Sequence, residues 1–171
     1  TEWYAKAVAY IAARNITSGI GNGNYGAGDI VTRGQFITML CNAYGISPAS
    51  TGENFADAGN TWYTGYLAAA KQKGISNGVG NNLFAPAMQI TRQEMFTLLY
   101  NAAKVLGELP EGTGKELSSF ADAGSVDSWA EEAVAYLVKN GVVAGSNGML
   151  NPKSTASRGE MAQMFYNLLD R

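Results

Sequence analysis

The chain contains no histidine, a single cysteine and no excess of basic charge, and each absence removes a class of function. Without histidine the Ser-His and Cys-His nucleophile pairs cannot be built, and most zinc sites lose their commonest nitrogen ligand. Cys41 stands alone, so no disulfide can close within the chain, and its setting MLCNAYG reads as that of a small buried hydrophobe rather than a nucleophile. Twelve Lys and Arg against 14 Asp and Glu leave a net charge of -2 and no basic face to neutralise a row of phosphates, so nucleic acid is not an expected partner. No apolar run approaches the roughly 18 to 20 residues that span a bilayer, and membrane insertion is not expected either. Thr1-Glu2-Trp3 does not begin a signal peptide, which leaves either a soluble intracellular chain or the mature fragment of a larger protein as the expectation.

With 171 residues, 46% of them hydrophobic, the chain can bury a core as one domain or as an array of small repeats. Its tryptophans decide between these. Arg33 lies 30 residues past Trp3, Arg92 lies 30 past Trp62 and Arg158 lies 29 past Trp129, while Gly19, Gly78 and Gly145 each lie 16 past their tryptophan. The tripeptide FAD precedes the second and third tryptophans, at 55 to 57 and 120 to 122. The first copy has no such segment, as expected of a chain that begins inside its first repeat.

Each copy reads as two helices around a loop. Positions four, seven and eight after the tryptophan are Ala7, Tyr10 and Ile11, then Tyr66, Ala69 and Ala70, then Ala133, Tyr136 and Leu137, an apolar stripe at helical period. Loops rich in Gly and Asn follow (SGIGNGNYGAGD, SNGVGNNLFAP, AGSNGMLNP), which favour turns over regular elements. The second helix opens on a capping box in every copy: Thr32-x-x-Gln35, Thr91-x-x-Glu94 and Ser157-x-x-Glu160. Behind the boxes, Phe36, Met39 and Leu40, then Met95, Leu98 and Leu99, then Met161, Met164 and Phe165 form a second core-facing stripe. Polar linkers at 46 to 54 and 107 to 119 separate the copies.

A single two-helix unit cannot cover both stripes, so the copies must pack on one another, in a stack or in a closed ring. A stack needs polar end caps, whereas the first and third copies are patterned like the middle one, which favours closure. The expected fold is therefore all-α, with helix-loop-helix repeats at 1–48, 49–112 and 113–171 packed as a pseudo-threefold trimer within one monomeric chain.

The repeated arginines raise a chemical question, because the positive end of a helix dipole makes its first turn a poor place for a cation. In one reading Arg33, Arg92 and Arg158 pair with acids of a neighbouring unit, such as Asp57 or Asp122. In another they form, with free N–H groups and the Gly-rich loops, pockets for a carboxylate or phosphate. The two are compatible. Trp3, Trp62 and Trp129 head amphipathic helices and read first as core, with a sugar-stacking platform as the alternative. Enzyme signals are poor: GNGNYG at 21 to 26 follows a helix rather than a strand and is not repeated, one faint calcium-like stretch with Asp29 is not enough, and no spacing selects a carboxylate pair. Neither catalysis, a metal nor a cofactor is expected.

The chain resembles the S-layer homology domains of bacterial surface proteins, which occur in threes. The resemblance covers nearly all of it and rests on Phe55, Asp57 and Trp62 with Phe120, Asp122 and Trp129; on Gly74 and Gly141 after the first helix; on Phe84 and Pro86 with Leu150 and Pro152 before the second; and on an I-T-R-x-E signature. Thr91, Arg92 and Glu94 match that signature in full. Unit one has Gln35 for its Glu and Tyr25-Gly26-Ala27 for F-x-P, and unit three has Ser157 and Leu150 for Thr and the aromatic. The resemblance implies a non-catalytic anchor on the outer bacterial cell surface that binds a secondary cell-wall polysaccharide, often with a pyruvate ketal on N-acetylmannosamine, in grooves between repeats. The implied contacts are the three arginines, the capping-box residues Thr32, Thr91, Ser157, Gln35, Glu94 and Glu160, the FAD aspartates, the three tryptophans, and Gly19, Asn77, Gly78 and Gly145 of the loops. The competing expectation is a structural or protein-interaction module in which the arginines only lock repeat to repeat.

Overall fold

The computed structural model of the chain describes residues 2–170. Among them are six α-helices: α1 (Ala5–Ala13), α2 (Arg33–Ala43), α3 (Thr64–Gln72), α4 (Arg92–Leu106), α5 (Ser128–Lys139) and α6 (Arg158–Leu169), with short 3₁₀ turns at Leu117–Ser119 and Ala123–Ser125. Extended pairing among the described residues is confined to isolated bridges.

The second helices α2, α4 and α6 start where the sequence places them. In each, the Thr or Ser hydroxyl accepts the backbone N–H three residues on, and the side chain at that third position accepts the N–H of the cap. The first helices are less sharply specified. α1 and α3 are nine residues each and follow Tyr4 and Tyr63 at the cap position, neither of which makes a side-chain cap, so tertiary packing must hold them.

That packing crosses unit boundaries. α3 lies on α2, α5 lies on α4, and α1 returns to lie on α6. The sequence required the copies to pack on one another without saying which helix meets which; the first helix of each unit covers the second helix of the unit before it. The reason lies just ahead of the second helices, where the chain joins three ways around a central axis. Ile90 N–H donates to the Val31 carbonyl at 2.9 Å, Ala156 N–H to that of Ile90 at 3.0 Å, and Val31 N–H to that of Ala156 at 3.0 Å. The ring is closed, and Val31, Ile90 and Ala156 are fully buried in it. It draws the starts of α2, α4 and α6 together and leaves their outer flanks open to a neighbour's helix.

Both predicted stripes face the core. Phe36 stacks on Phe165 across the axis at 5.8 Å, and the Met and Leu positions of all three second helices are buried. Complete burial of a side chain of this size contributes about 1.5 to 3 kcal/mol. The last joint, between the two ends of the chain, is sealed by Ala7 and Ile11 and by an edge-to-face contact of Tyr10 with Tyr166 at 5.2 Å.

Candidate functional site: the joints between units

At the first position of each second helix the arginine leads its charge away from its own helix end. Arg33 Nε donates to the Phe84 carbonyl at 2.8 Å, and its Nη1 meets Glu94 Oε2 at 3.2 Å. Arg92 repeats this one unit on, with Leu150 O at 2.8 Å and Glu160 Oε1 at 3.2 Å. Each arginine therefore reads the loop and the capping-box glutamate of the next unit, and Arg33 also lies 4.6 Å over the Phe84 ring.

The partners differ from those the sequence suggested. Among the described residues Asp57 makes no ion pair; its two oxygens accept the N–H groups of Phe84 and Ala85 at 2.8 and 2.7 Å. Asp122 does the same for Leu150 and Asn151, at 2.8 and 2.7 Å. Burial alone would raise the Asp122 pKa, but those two N–H groups and the nearby Arg92 charge outweigh it and hold the carboxyl below its ordinary range. The aspartates thus fix the turn whose carbonyl the arginine reads.

The cradle of free N–H groups expected beside each arginine is also absent. Arg33 and Gly34 donate their backbone N–H to Met88 and Pro86, Arg92 and Gln93 donate theirs to Ser154 and Pro152, and Arg158 and Gly159 donate theirs to Asp29 and Ala27. These orphan donors of the helix start are used in the joints, so any anion must be met by side chains.

Among the described residues two of the joints carry open grooves. The first, of about 510 Å³, is lined by Arg33 of unit one, by Asn77, Gly78, Glu94 and Asn101 of unit two, and by Trp129 of unit three. The second, of about 470 Å³, is lined by Arg92, by Gly145, Glu160, Gln163 and Asn167, and by Trp3. All three units contribute to each groove. The tryptophans are not core: Trp3, Trp62 and Trp129 are 61, 61 and 55% exposed. Trp3 and Trp62 stand just ahead of their helices and lean edge-on against Tyr4 and Tyr63, while Trp129 lies in the first turn of α5. The loop glycines are spatial necessities. A Cβ on Gly78 would run into the Leu83 carbonyl and the Phe55 ring, and one on Gly145 into Phe120 and the Met149 carbonyl.

The third joint is built differently. Arg158 Nε donates to the Tyr25 carbonyl at 2.9 Å, and the guanidinium lies 4.6 Å over the Tyr25 ring. Its Nη2, however, donates to Ser18 O at 2.8 Å and Thr17 Oγ1 at 3.5 Å. The Tyr25 hydroxyl donates to the Arg158 carbonyl at 2.9 Å, and burial pushes its pKa up to about 12 despite the nearby arginine. Gly19 lines a separate depression with Ser18, Asn24 and Tyr25. Thr32, Thr91 and Ser157 serve their capping boxes, as does Gln35, whose Oε1 accepts Thr32 N–H at 2.9 Å.

One repeated set of residues, two of which line the open grooves, escaped the sequence reading. Asn42, Asn101 and Asn167 each stand nine residues after an arginine, and each donates through Nδ2 to the carbonyl behind the groove loop, that of Ile16, Ile75 or Val142. Their regular spacing was the available signal. Among the described residues no three His, Cys, Asp or Glu side chains converge as a metal would require, and no helix is long and apolar enough to cross a membrane.

Comparison with known proteins bears on this arrangement. A family model described as the S-layer homology domain matches residues 1–37, 54–96 and 119–162. A surface-layer 125 kDa protein of Lysinibacillus sphaericus is 34% identical over 173 residues, which cover 98% of this chain and 14% of that protein. The exoglucanase XynX of Acetivibrio thermocellus is 31% identical over 171 residues, or 99% and 16%. The S-layer protein sap of Bacillus anthracis is 28% identical over 162 residues, or 94% and 19%. The chain thus spans less than a fifth of each of these relatives.

Proposed function

The chain belongs to the S-layer homology domain family, cell-surface anchoring modules, and from that premise we propose that it holds a larger protein to the bacterial wall by binding an anionic secondary cell-wall polysaccharide in its inter-unit grooves. The carboxylate of a pyruvate ketal on an amino sugar is the chemistry the grooves suit. The observation that carries the reading is their composition. Each groove brings an arginine, a carboxamide from its asparagine and an exposed indole face to one cavity of roughly sugar size. A guanidinium has five N–H donors, and the bonds of Arg33 to Phe84 O and Glu94 use two of them. The indole supplies an apolar platform for a pyranose face, and the amide can meet hydroxyl or acetamido groups. Relatives named as an exoglucanase and as a surface-layer protein share this one segment, which fits an attachment role common to unlike proteins.

A lock between repeats is the second function of the same arginines, favoured by their bonds to the neighbouring unit's carbonyl and glutamate. An arginine variant therefore disturbs binding and folding together, and the exposed Trp129 separates them. The test is co-sedimentation with purified bacterial wall sacculi, before and after acid extraction of secondary polysaccharide, for the native chain and Trp129→Ala. Binding is expected to vanish on stripping, and Trp129→Ala is expected to weaken it at least about tenfold, as loss of a central aromatic contact does, with little change in melting temperature. Unchanged binding to stripped sacculi would move the ligand to peptidoglycan. No binding to either would favour a protein partner.

A further inference from the structure

The three joints obey one rule with one exception. The capping-box glutamate of each receiving unit has two tasks: it accepts the N–H of its own helix cap, and it pairs with the arginine arriving from the previous unit. Glu160 divides them between its oxygens, Oε2 to Ser157 N–H and Oε1 to Arg92, and Glu94 performs both through Oε2. A carboxylate has the lone pairs and the charge for this. In the receiving unit of the third joint the residue is Gln35, whose single carbonyl oxygen is engaged by Thr32 N–H and whose amide nitrogen can only donate, so it cannot accept from a guanidinium. Among the described residues Arg158 consequently has no carboxylate partner. Its guanidinium turns onto Ser18 O and Thr17 Oγ1. Those positions correspond to Asn77 and Ser76, which line the first open groove, and to Ala144 and Val143, which line the second.

We infer that the chain has two ligand-accepting grooves and a third that its own Arg158 occupies, and that residue 35 decides this. The inference rests on the polysaccharide reading above for what fills the open grooves, but the state of Arg158 is independent of any ligand. The pseudo-threefold relation assigns one tryptophan to each groove: Trp129 to the first, Trp3 to the second and Trp62 to the third. Each groove thus carries its own reporter.

The test follows the three indole N–H signals by NMR while the intact chain is titrated with the methyl glycoside of pyruvylated N-acetylmannosamine. In the native chain the Trp3 and Trp129 signals are expected to move with ligand and Trp62 to stay. In Gln35→Glu, which restores the box found in the other two units and so preserves the helix start, Trp62 is expected to move as well. Saturable movement of all three signals in the native chain would overturn the inference, as would an unmoved Trp62 in the variant when the other two respond. A ligand-free measurement accompanies it: the carboxyl introduced by Gln35→Glu, titrated by carbon NMR, is expected below the ordinary glutamate range because Arg158 has swung to it. An ordinary value there would mean that residue 35 does not control the arginine. If no indole responds in either protein, the polysaccharide reading fails, and the carboxyl titration still decides what holds Arg158.

Discussion

Asp57 and Asp122 each use both carboxylate oxygens on two consecutive backbone N–H groups, and the turn so fixed presents the carbonyl that the arginine of the previous unit reads. The chemistry of the joint therefore starts one residue away from the arginine that announces it. Asp57→Ala would leave the N–H groups of Phe84 and Ala85 without acceptors at a half-buried turn, where Ala85 already holds a positive φ of 57°. Each unsatisfied donor costs about 1 to 3 kcal/mol, so a loss of roughly 2 to 6 kcal/mol is expected in guanidinium denaturation. Asp57→Asn, with one carbonyl oxygen in place of two, should fall between the native chain and the alanine variant. A loss below about 1 kcal/mol for Asp57→Ala would show that solvent satisfies the turn. The identity of these partners was not legible in the sequence. The repeat shows that an arginine and an aspartate recur, but only the sense of rotation around the axis reveals that the arginine skips Asp57 and pairs with Glu94.

At the scale of helices, what the sequence made plain is what is decided within four residues. The three capping boxes and the buried faces behind them follow from hydroxyl, carboxyl and apolar positions a turn apart, and all three formed. Thr91→Ala would remove the cap of α4 and is expected to cost about 1 kcal/mol in chemical denaturation. The Glu94 carboxylate would keep the backbone N–H of position 91 and Arg33 but lose the hydroxyl that fixes its own N–H, so an excess well above that figure would measure how strongly cap and ion pair support one another. The first helices were less legible. Their period is sound, and the tryptophan is in register with it, but it sits at or just ahead of the first turn, beyond the helix that covers the stripe, and reading it as the head of that stripe placed three exposed rings in the core. Nor could periodicity say which second helix a first helix would cover, since every copy offers the same stripe. The choice of the preceding unit is made by the three-way backbone joint around Val31, Ile90 and Ala156, where no side-chain motif marks the hydrogen bonds.

The whole molecule is a ring whose last joint brings α1 onto α6, so no unit completes its burial without both neighbours. Such an arrangement should unfold in one step even when the disturbance lies in one unit, and alkali supplies that disturbance. Burial raises the Cys41 thiol from 9.0 to about 12 and the Tyr25 hydroxyl from 10.0 to about 12, while burial together with the charge of Glu108 raises Tyr44 as well. All three belong to unit one. Groups whose folded pKa is raised contribute stability that is complete below their unfolded values, near 9 to 10, and is lost as pH climbs toward 12, because the unfolded chain gives up its protons first. Stability should accordingly be level from pH 7 to about 8.5 and fall steadily above 9. The tryptophans, one in each unit, allow the ring to be tested at the same time. Three variants, each retaining one tryptophan with the others changed to phenylalanine, would be unfolded in guanidinium at pH 8 and pH 10.5 and followed by fluorescence. The expected result is one midpoint within each variant, shared with its circular dichroism transition and shifted downward at the higher pH even where the reporter is Trp129, far along the chain from the titrating groups. A Trp129 transition that kept its midpoint at pH 10.5 while the Trp3 transition moved would mean that units two and three stand without the first, and that closure through α1 and α6 does not make the ring cooperative.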